Sequence, residues 1–456
     1  MQRRNFLRKA GFLTTGALLS NSTQAYQNVT PIQKGDHVLI LGAGVSGLSA
    51  AYMLQKRGIA YTLLEARSRT GGRILTHTID KDTGLHVELG AEWVGASHKR
   101  LLALCKELGL EVEDHSFRFY SLLQGKYTTP DTYQPDVAWD KKYKGLLEEF
   151  LTKSEKEKKR LDKIDWWRYL VSQGIPDREL EIRELNDSTD FGESIRNVSA
   201  YSGISEYAGS SPNNEMDFKI KGGNTQLIEK LTEKVGTDKI LKNKKVTHVY
   251  QENKQVKVTC KDGTAYTGHK LICTLPAVAV LDIQWNPVLP ELQIEALQQL
   301  QYARIIKSSV LFTERFWKDE ALSIVSDTLP HYFFHTTKNQ PGPKGVLTSY
   351  TIGDKAHIFS RLSTKQKISR ICQALDPAFG DTEPLAETAV CYYWADDAIT
   401  QGAYAIYDVN QWYGIREAIA QSFKHIVFAG EHIAEWQGFM EGAIQTGEDA
   451  VLALIG

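Results

Sequence analysis

Apolar residues in this chain gather in short runs separated by polar turns, and the runs near its two ends share one form. Asp36–Leu41 has strand character and leads directly into Gly42-Ala43-Gly44-Val45-Ser46-Gly47, then into a helix-like stretch to about Arg57. A second strand, Ala60–Leu64, ends at Glu65. Far downstream, His425–Phe428 is again a short apolar strand. It is followed by Ala429-Gly430-Glu431-His432, a loop with Trp436, Gly438 and Phe439, and a helix from about Met440 to Leu454. Between these ends the pattern predicts a helix after Gly222-Gly223, a hairpin over Val246–Tyr250 and Val256–Thr259, and a strand Leu271–Thr274 before Pro276.

Strand, glycine loop, helix and acid-tipped strand form a dinucleotide-binding unit of Rossmann type. Gly42 allows the tight turn, Gly44 lets backbone approach a pyrophosphate, and Gly47 lets the helix pack close. The helix start, with Ser46 in its first turn, offers unpaired N–H groups to phosphate. Glu65 follows Gly42 at close to the spacing of roughly 20 residues at which an acid meets a ribose diol. Arg67, Arg69, Gly72 and Arg73, with Ala66 among them, suit a chain passing along further phosphate and ribityl. Gly430 and Glu431, and the helix that starts near Met440, suit the same ligand from the other end.

These pieces are separated in sequence, so the expected fold is α/β, a Rossmann-type cofactor domain interleaved with an α+β substrate-binding domain. The cofactor domain is expected over 36–96, 218–282 and 396–456, and the substrate domain over 97–217 and 283–395. The first long insertion is charged and helical in character. Within it Lys153–Lys163 mixes both signs at helical spacing, as a solvated helix face does.

Lysine plus arginine number 54 against 55 acids, a formal charge of -1, so no overall field would draw in nucleic acid or an anionic membrane. The five cysteines show no C-x-x-C spacing, which indicates neither a zinc site nor a disulfide framework, and no metal is expected. Arg3 and Arg4, then a mild apolar stretch over Ala10–Leu19 and small residues to Ala25, read as a twin-arginine signal peptide over 1–25. That route carries proteins already folded around a cofactor, so the twin-arginine translocation machinery is an expected partner and the protein an exported, periplasmic one. The apolar run is too short to span a membrane, and no stable anchor is expected. Nothing in the pattern specifies an oligomeric state.

Three segments together resemble the flavin monoamine oxidase family and its polyamine and L-amino-acid oxidase relatives. They are the opening through Arg73, then Glu88-Leu89-Gly90-Ala91-Glu92-Trp93-Val94-Gly95, and Phe428-Ala429-Gly430-Glu431 through Gly438-Phe439-Met440-Glu441-Gly442-Ala443. Lys221-Gly222-Gly223-Asn224 and Thr348-Ser349-Tyr350 extend the likeness over most of the chain. The resemblance implies FAD as cofactor, with Gly90, Ala91, Glu92, Trp93, Val246, Gly438, Phe439 and Met440 beside it. It implies that Lys307 holds a water near the reacting flavin nitrogen, and that Tyr404 and Phe439 form an aromatic cage, with Trp394 nearby. A lysine inside the apolar run Ala303–Phe312 is unusual in its own right.

The implied reaction is hydride transfer to flavin from the carbon next to an amine, then imine hydrolysis, with O2 reoxidising the flavin to give H2O2. Ala403 stands where some relatives carry a flavin-linking cysteine, so FAD is expected to be noncovalent. An L-amino-acid oxidase is the nearest alternative, although Glu92, Trp93 and Val94 stand where its carboxylate-binding arginine is placed, leaving Arg118, Arg196 or Arg304 to serve. A desaturase or porphyrinogen-type oxidase would share Arg69–Arg73 without requiring Lys307 or the aromatic pair. A non-catalytic FAD-binding redox partner is the alternative of a different class.

Overall fold

A computed structural model describes residues 29–455, so the expected leader at 1–25 lies outside the described residues. The first apolar run forms β1 (His37–Leu41), with Val38 through Leu41 all buried. A strand apolar on both faces belongs inside a parallel sheet covered on both sides. Around it gather α1 (Val45–Lys56), β2 (Ala60–Leu64), β3 (Ile240–Leu241), β4 (Lys270–Cys273) and β5 (Ile426–Phe428). The sheet order is β5-β4-β1-β2-β3, and every neighbouring pair is parallel.

The long helix α2 (Met440–Ile455) packs against α1. Their approach is set by glycine: a Cβ on Gly447 would lie 2.2 Å from the Ser46 carbonyl oxygen. The fold is thus α/β, and its cofactor-side core is assembled from the two ends of the described chain together with pieces of its middle. β4 starts one residue earlier than the apolar pattern predicts. Lys270 is buried along its stem, and its ammonium donates to the Thr30 hydroxyl.

The predicted hairpin becomes Val246–Glu252 and Gln255–Cys260, inside a four-stranded sheet that Ala265–Gly268 and Gln284–Asn286 complete. A seven-stranded sheet runs in the order Ala386–Tyr393, Ile305–Phe312, Gly345–Ile352, Tyr332–His335, Leu322–Ser326, Arg118–Leu123, Lys126–Thr128. The segment 97–217 is helical over Lys99–Glu107 and again from Val137 onward, and between these lie two strands of that sheet which the helical expectation does not include. Arg118–Leu123 pairs alongside Leu322–Ser326, and its apolar residues join the same buried cluster, which supplies the burial a charge-based reading overlooks. The helix Glu155–Leu161 buries no residue and opens with a Ser154/Glu157 capping box, the solvated face its charges predict. All five cysteines are unpaired thiols. Among the described residues no helix is long and apolar enough to cross a membrane, and no cluster of three or more potential ligands could hold a metal.

Candidate active site

The glycine loop is shaped by backbone that side chains would block. Gly42 has φ +96°, which L side chains disfavour, and a Cβ on Gly47 would fall 2.1 Å from the Gly42 carbonyl oxygen. Gly47 thus lies beneath the loop and lets α1 start against β1. Gly44 is the N-cap of α1 and no side chain caps this helix. The Ser46 hydroxyl is buried without a hydrogen-bond partner. A bare helix N-terminus with an orphaned hydroxyl and an open approach at Gly44 fits a pyrophosphate. Glu65, at the end of β2, accepts from the Ala43 and Arg67 N–H groups at 2.8 Å each. Burial raises its carboxyl above the ordinary range, against those backbone bonds.

A cavity of about 600 Å³ begins at this loop. Gly42, Gly44, Ser46, Glu65, Ala66 and Arg67 line its first part, and Gly72, Arg73, Gly430 and Glu431 continue it. Gly90, Ala91, Glu92, Trp93, Gly438, Phe439 and Met440 line the next stretch, with Lys307, Trp394 and Tyr404 beyond the nucleotide end. Its glycine-rich lining, drawn from both ends of the described chain, fits a dinucleotide. Of the expected cofactor residues, Gly47 and Val246 are not in the lining. Val246 is buried at the start of the four-stranded sheet instead.

The arginines after Glu65 are not open cations. Arg67 forks onto Asp397 at 2.6 and 3.0 Å, Arg69 donates to the Thr70 and Gly72 carbonyls, and Arg73 meets Glu431 at 2.6 Å. They hold loops together, and the phosphate-binding task falls to α1. Burial raises the Glu431 carboxyl, but Arg73 outweighs it and the group lies below the ordinary range. Its other oxygen accepts from the Gly438 N–H at 2.9 Å. Asp397 carried no signal in sequence, because an acid in a loop pairs with nothing until the fold brings Arg67 to it.

Lys307 sits in a strand buried along its whole length, only 3% exposed, so its ammonium does not reach solvent. All three N–H bonds are directed to protein oxygens: Glu92 at 2.6 Å, the Gly90 carbonyl at 2.9 Å and the Glu88 carbonyl at 3.3 Å. The rings of Trp93, Tyr350 and Phe334 surround it at 5.3, 5.7 and 5.9 Å. Tyr404 and Phe439 both line the cavity, and Gly438 allows the close approach of the Tyr404 ring, 2.8 Å from where a Cβ would stand. The Tyr404 hydroxyl donates to the Asp190 carbonyl. Phe439 packs edge-on against His98 and Trp436. The Trp394 indole N–H is tied to the Leu89 carbonyl at 2.8 Å and its ring backs Gly90.

The sequence reading missed an acidic wall. Asp187, Asp190, Glu206 and Glu215 all line the cavity. Asp187 accepts from Trp166 at 2.7 Å and Arg183 at 3.3 Å. Asp190 accepts from Tyr207 at 2.7 Å and Asn214 at 2.8 Å, and burial followed by the charge of Asp187 pushes its carboxyl up to about 7. Glu206 makes no side-chain hydrogen bond or ion pair. Burial, then Asp190, Glu215 and Asp187, lift it well above the ordinary range. Glu215 accepts from Ser97 and the Ser211 N–H and faces His98, whose imidazole burial lowers to about 4. In sequence Asp187 and Asp190 are two acids of a mixed-charge helix, with nothing to show that this side is inside.

Fold and cavity define a dinucleotide-binding protein of Rossmann type. The chain belongs to the flavin-containing amine oxidoreductase family, whose description matches residues 45–455. It is 25% identical to the flavin-containing amine oxidase B of Sus scrofa, over 92% of this chain and 86% of the relative. To the L-amino-acid oxidase of Protobothrops flavoviridis it is 27% identical, over 90% and 87%. In fold it is similar to a putrescine oxidase solved with putrescine bound, with TM-score 0.81, 22% identity, and coverage of 92% of this chain and 99% of that one. The protein is an FAD-dependent amine oxidase acting on CH–NH2 groups, which sets aside the non-catalytic redox partner. When bound, FAD supplies the hydride acceptor.

Proposed function

We propose that this amine oxidase acts on an amine bearing a second positive charge, such as a diamine, with the distal ammonium held by the acidic wall. The carrying observation is a charge imbalance. The cavity cations Arg67, Arg73, Arg183 and Lys307 each have a carboxylate of their own, Asp397, Glu431, Asp187 and Glu92. Asp190, Glu206 and Glu215 remain without a cation, and burial raises all three carboxyls, so their ionisation is costly. A ligand ammonium relieves that strain, and its attraction strengthens away from bulk water. Putrescine, the compound in the structurally similar oxidase, is a molecule of this class.

The same wall argues against an L-amino acid, whose carboxylate needs an open cation. Arg118 faces Asp319, Arg304 is held by Glu193 and Asp354, and exposed Arg196 lies over the Trp167 ring. None of the three lines the cavity. Replacing Glu206 by Gln should raise KM for an α,ω-diamine at least tenfold, with kcat and the kinetics of a matched monoamine little changed. An equal loss for both amines would refute the assignment.

The chain's residues do the positioning: Tyr404 and Phe439 wall the amine path, and the acids fix its far end. O2 serves as electron acceptor in this reading, with H2O2 as product. Noncovalent FAD is supported by Ala403 and by the absence of any cysteine from the cavity lining, and acid precipitation should leave the flavin in the supernatant. Export by the twin-arginine route rests on Arg3 and Arg4. Replacing both by lysine should keep the protein in the cytoplasmic fraction, and unchanged fractionation would count against that route.

A further inference from the structure

Glu92 is the buried counter-ion of Lys307, and its surroundings are unusually complete. One oxygen takes the Lys307 ammonium at 2.6 Å, and the other accepts from the Thr336 hydroxyl at 2.9 Å with the His115 imidazole at 3.4 Å and Lys219 at 3.7 Å. The Glu92 and Lys307 side chains are 0% and 4% exposed. Burial pushes the Glu92 carboxyl up, but the two ammoniums outweigh it and hold the group well below the ordinary range. With all three N–H bonds of Lys307 given to protein oxygens, no donor is left for a water in this arrangement. Two of the acceptors, Glu92 and the Gly90 carbonyl, belong to residues that line the flavin cavity, so the lysine also pins that wall.

We infer that Glu92 is the positioning residue of Lys307: it commits the ammonium to the protein and balances its charge at the cavity wall, so the pair and not the lysine alone tunes the bound flavin. This rests on the family reading that FAD occupies the cavity. A bonded pair presents nearly cancelling charges, whereas removing either partner leaves the other buried and uncompensated. Reduction adds electrons to the flavin, so a nearby uncompensated cation favours the reduced form and an uncompensated anion opposes it.

The test is the midpoint potential of the purified holoprotein, measured by dye-coupled reduction. Glu92→Gln, which keeps the shape, should raise the potential, and Lys307→Met should lower it. The Glu92→Gln/Lys307→Met double variant should return close to the native value. Opposite signs that cancel are not produced by loosened packing. Shifts of the same sign, or no shift in either single variant, overturn the inference. Should Glu92→Gln fail to retain flavin, Lys219→Met reads the same relation, since it removes charge beside Glu92 and leaves the 2.6 Å bond in place. The potential must then fall, and an unmoved potential overturns the inference. A native protein purified without any flavin refutes the family reading instead, so the two failures are distinguishable.

Discussion

Asp190 shows how one side chain couples the substrate wall to stability. Its carboxyl is pushed from 3.8 to about 7, first by burial and then by Asp187. The folded protein therefore holds a proton that the unfolded chain has released anywhere between those values, and stability falls as pH rises through that window. Asp190→Asn removes the penalty while keeping a hydrogen-bonding group for Tyr207 and Asn214. The ligand-free variant should melt higher than the native protein at pH 8, being more stable by on the order of 2 kcal/mol, with the gap closing toward pH 4. Melting curves at both pH values check this, and a constant gap would mean that packing and not ionisation separates the two proteins. At this scale the glycines and Glu65 were legible, because their task is local and imposes a spacing. Lys307 was legible as an oddity in an apolar strand, but its partner Glu92 was expected beside the cofactor. Lys219 and the acidic wall were not legible, since a charged residue looks the same in sequence whether it meets water or a buried partner.

Between elements, the decisive contact is the crossing of α1 and α2. A Cβ at Gly447 would stand 2.2 Å from the Ser46 carbonyl oxygen of α1, and one at Gly442 would stand 2.1 Å from the Trp436 carbonyl oxygen in the loop that leads into α2. Both obstacles are backbone, so the neighbours cannot swing aside. Gly447→Ala should therefore separate the helices, cost about 2–4 kcal/mol and weaken flavin retention, because Ser46 belongs to the phosphate end of the cavity. Thermal denaturation with flavin release as a second readout tests this, and an unshifted midpoint would mean that the two helices part without cost. The sequence pattern placed β1, α1, β2, β5 and α2 to within a residue or two, since each is a compact apolar run bounded by glycine or polar residues. It read 97–217 as helical because charge dominates there, and the strand Arg118–Leu123 shows its burial only once Leu322–Ser326 lies beside it.

Across the whole molecule, the cavity joins residues from Gly42 to Ala443. A ligand that threads so many segments should act as a clamp on folding. At a hundredfold excess over its Kd, FAD should stabilise the protein by about 3 kcal/mol, and removing it should lower Tm accordingly. Equal melting of flavin-loaded and flavin-free protein would show that the segments hold without it. The same threading explains why the α/β class was readable while the interior geometry was not: periodicity reports which face is buried, never which distant residue meets it. It also orders events during synthesis. β1, α1 and β2 leave the ribosome long before β5 and α2, which complete both the parallel sheet and the cavity. A nascent chain halted before them carries an open sheet edge and half a nucleotide cradle, so cofactor capture waits for these two elements and any shortfall in them yields a sticky, colourless chain in place of a weak enzyme.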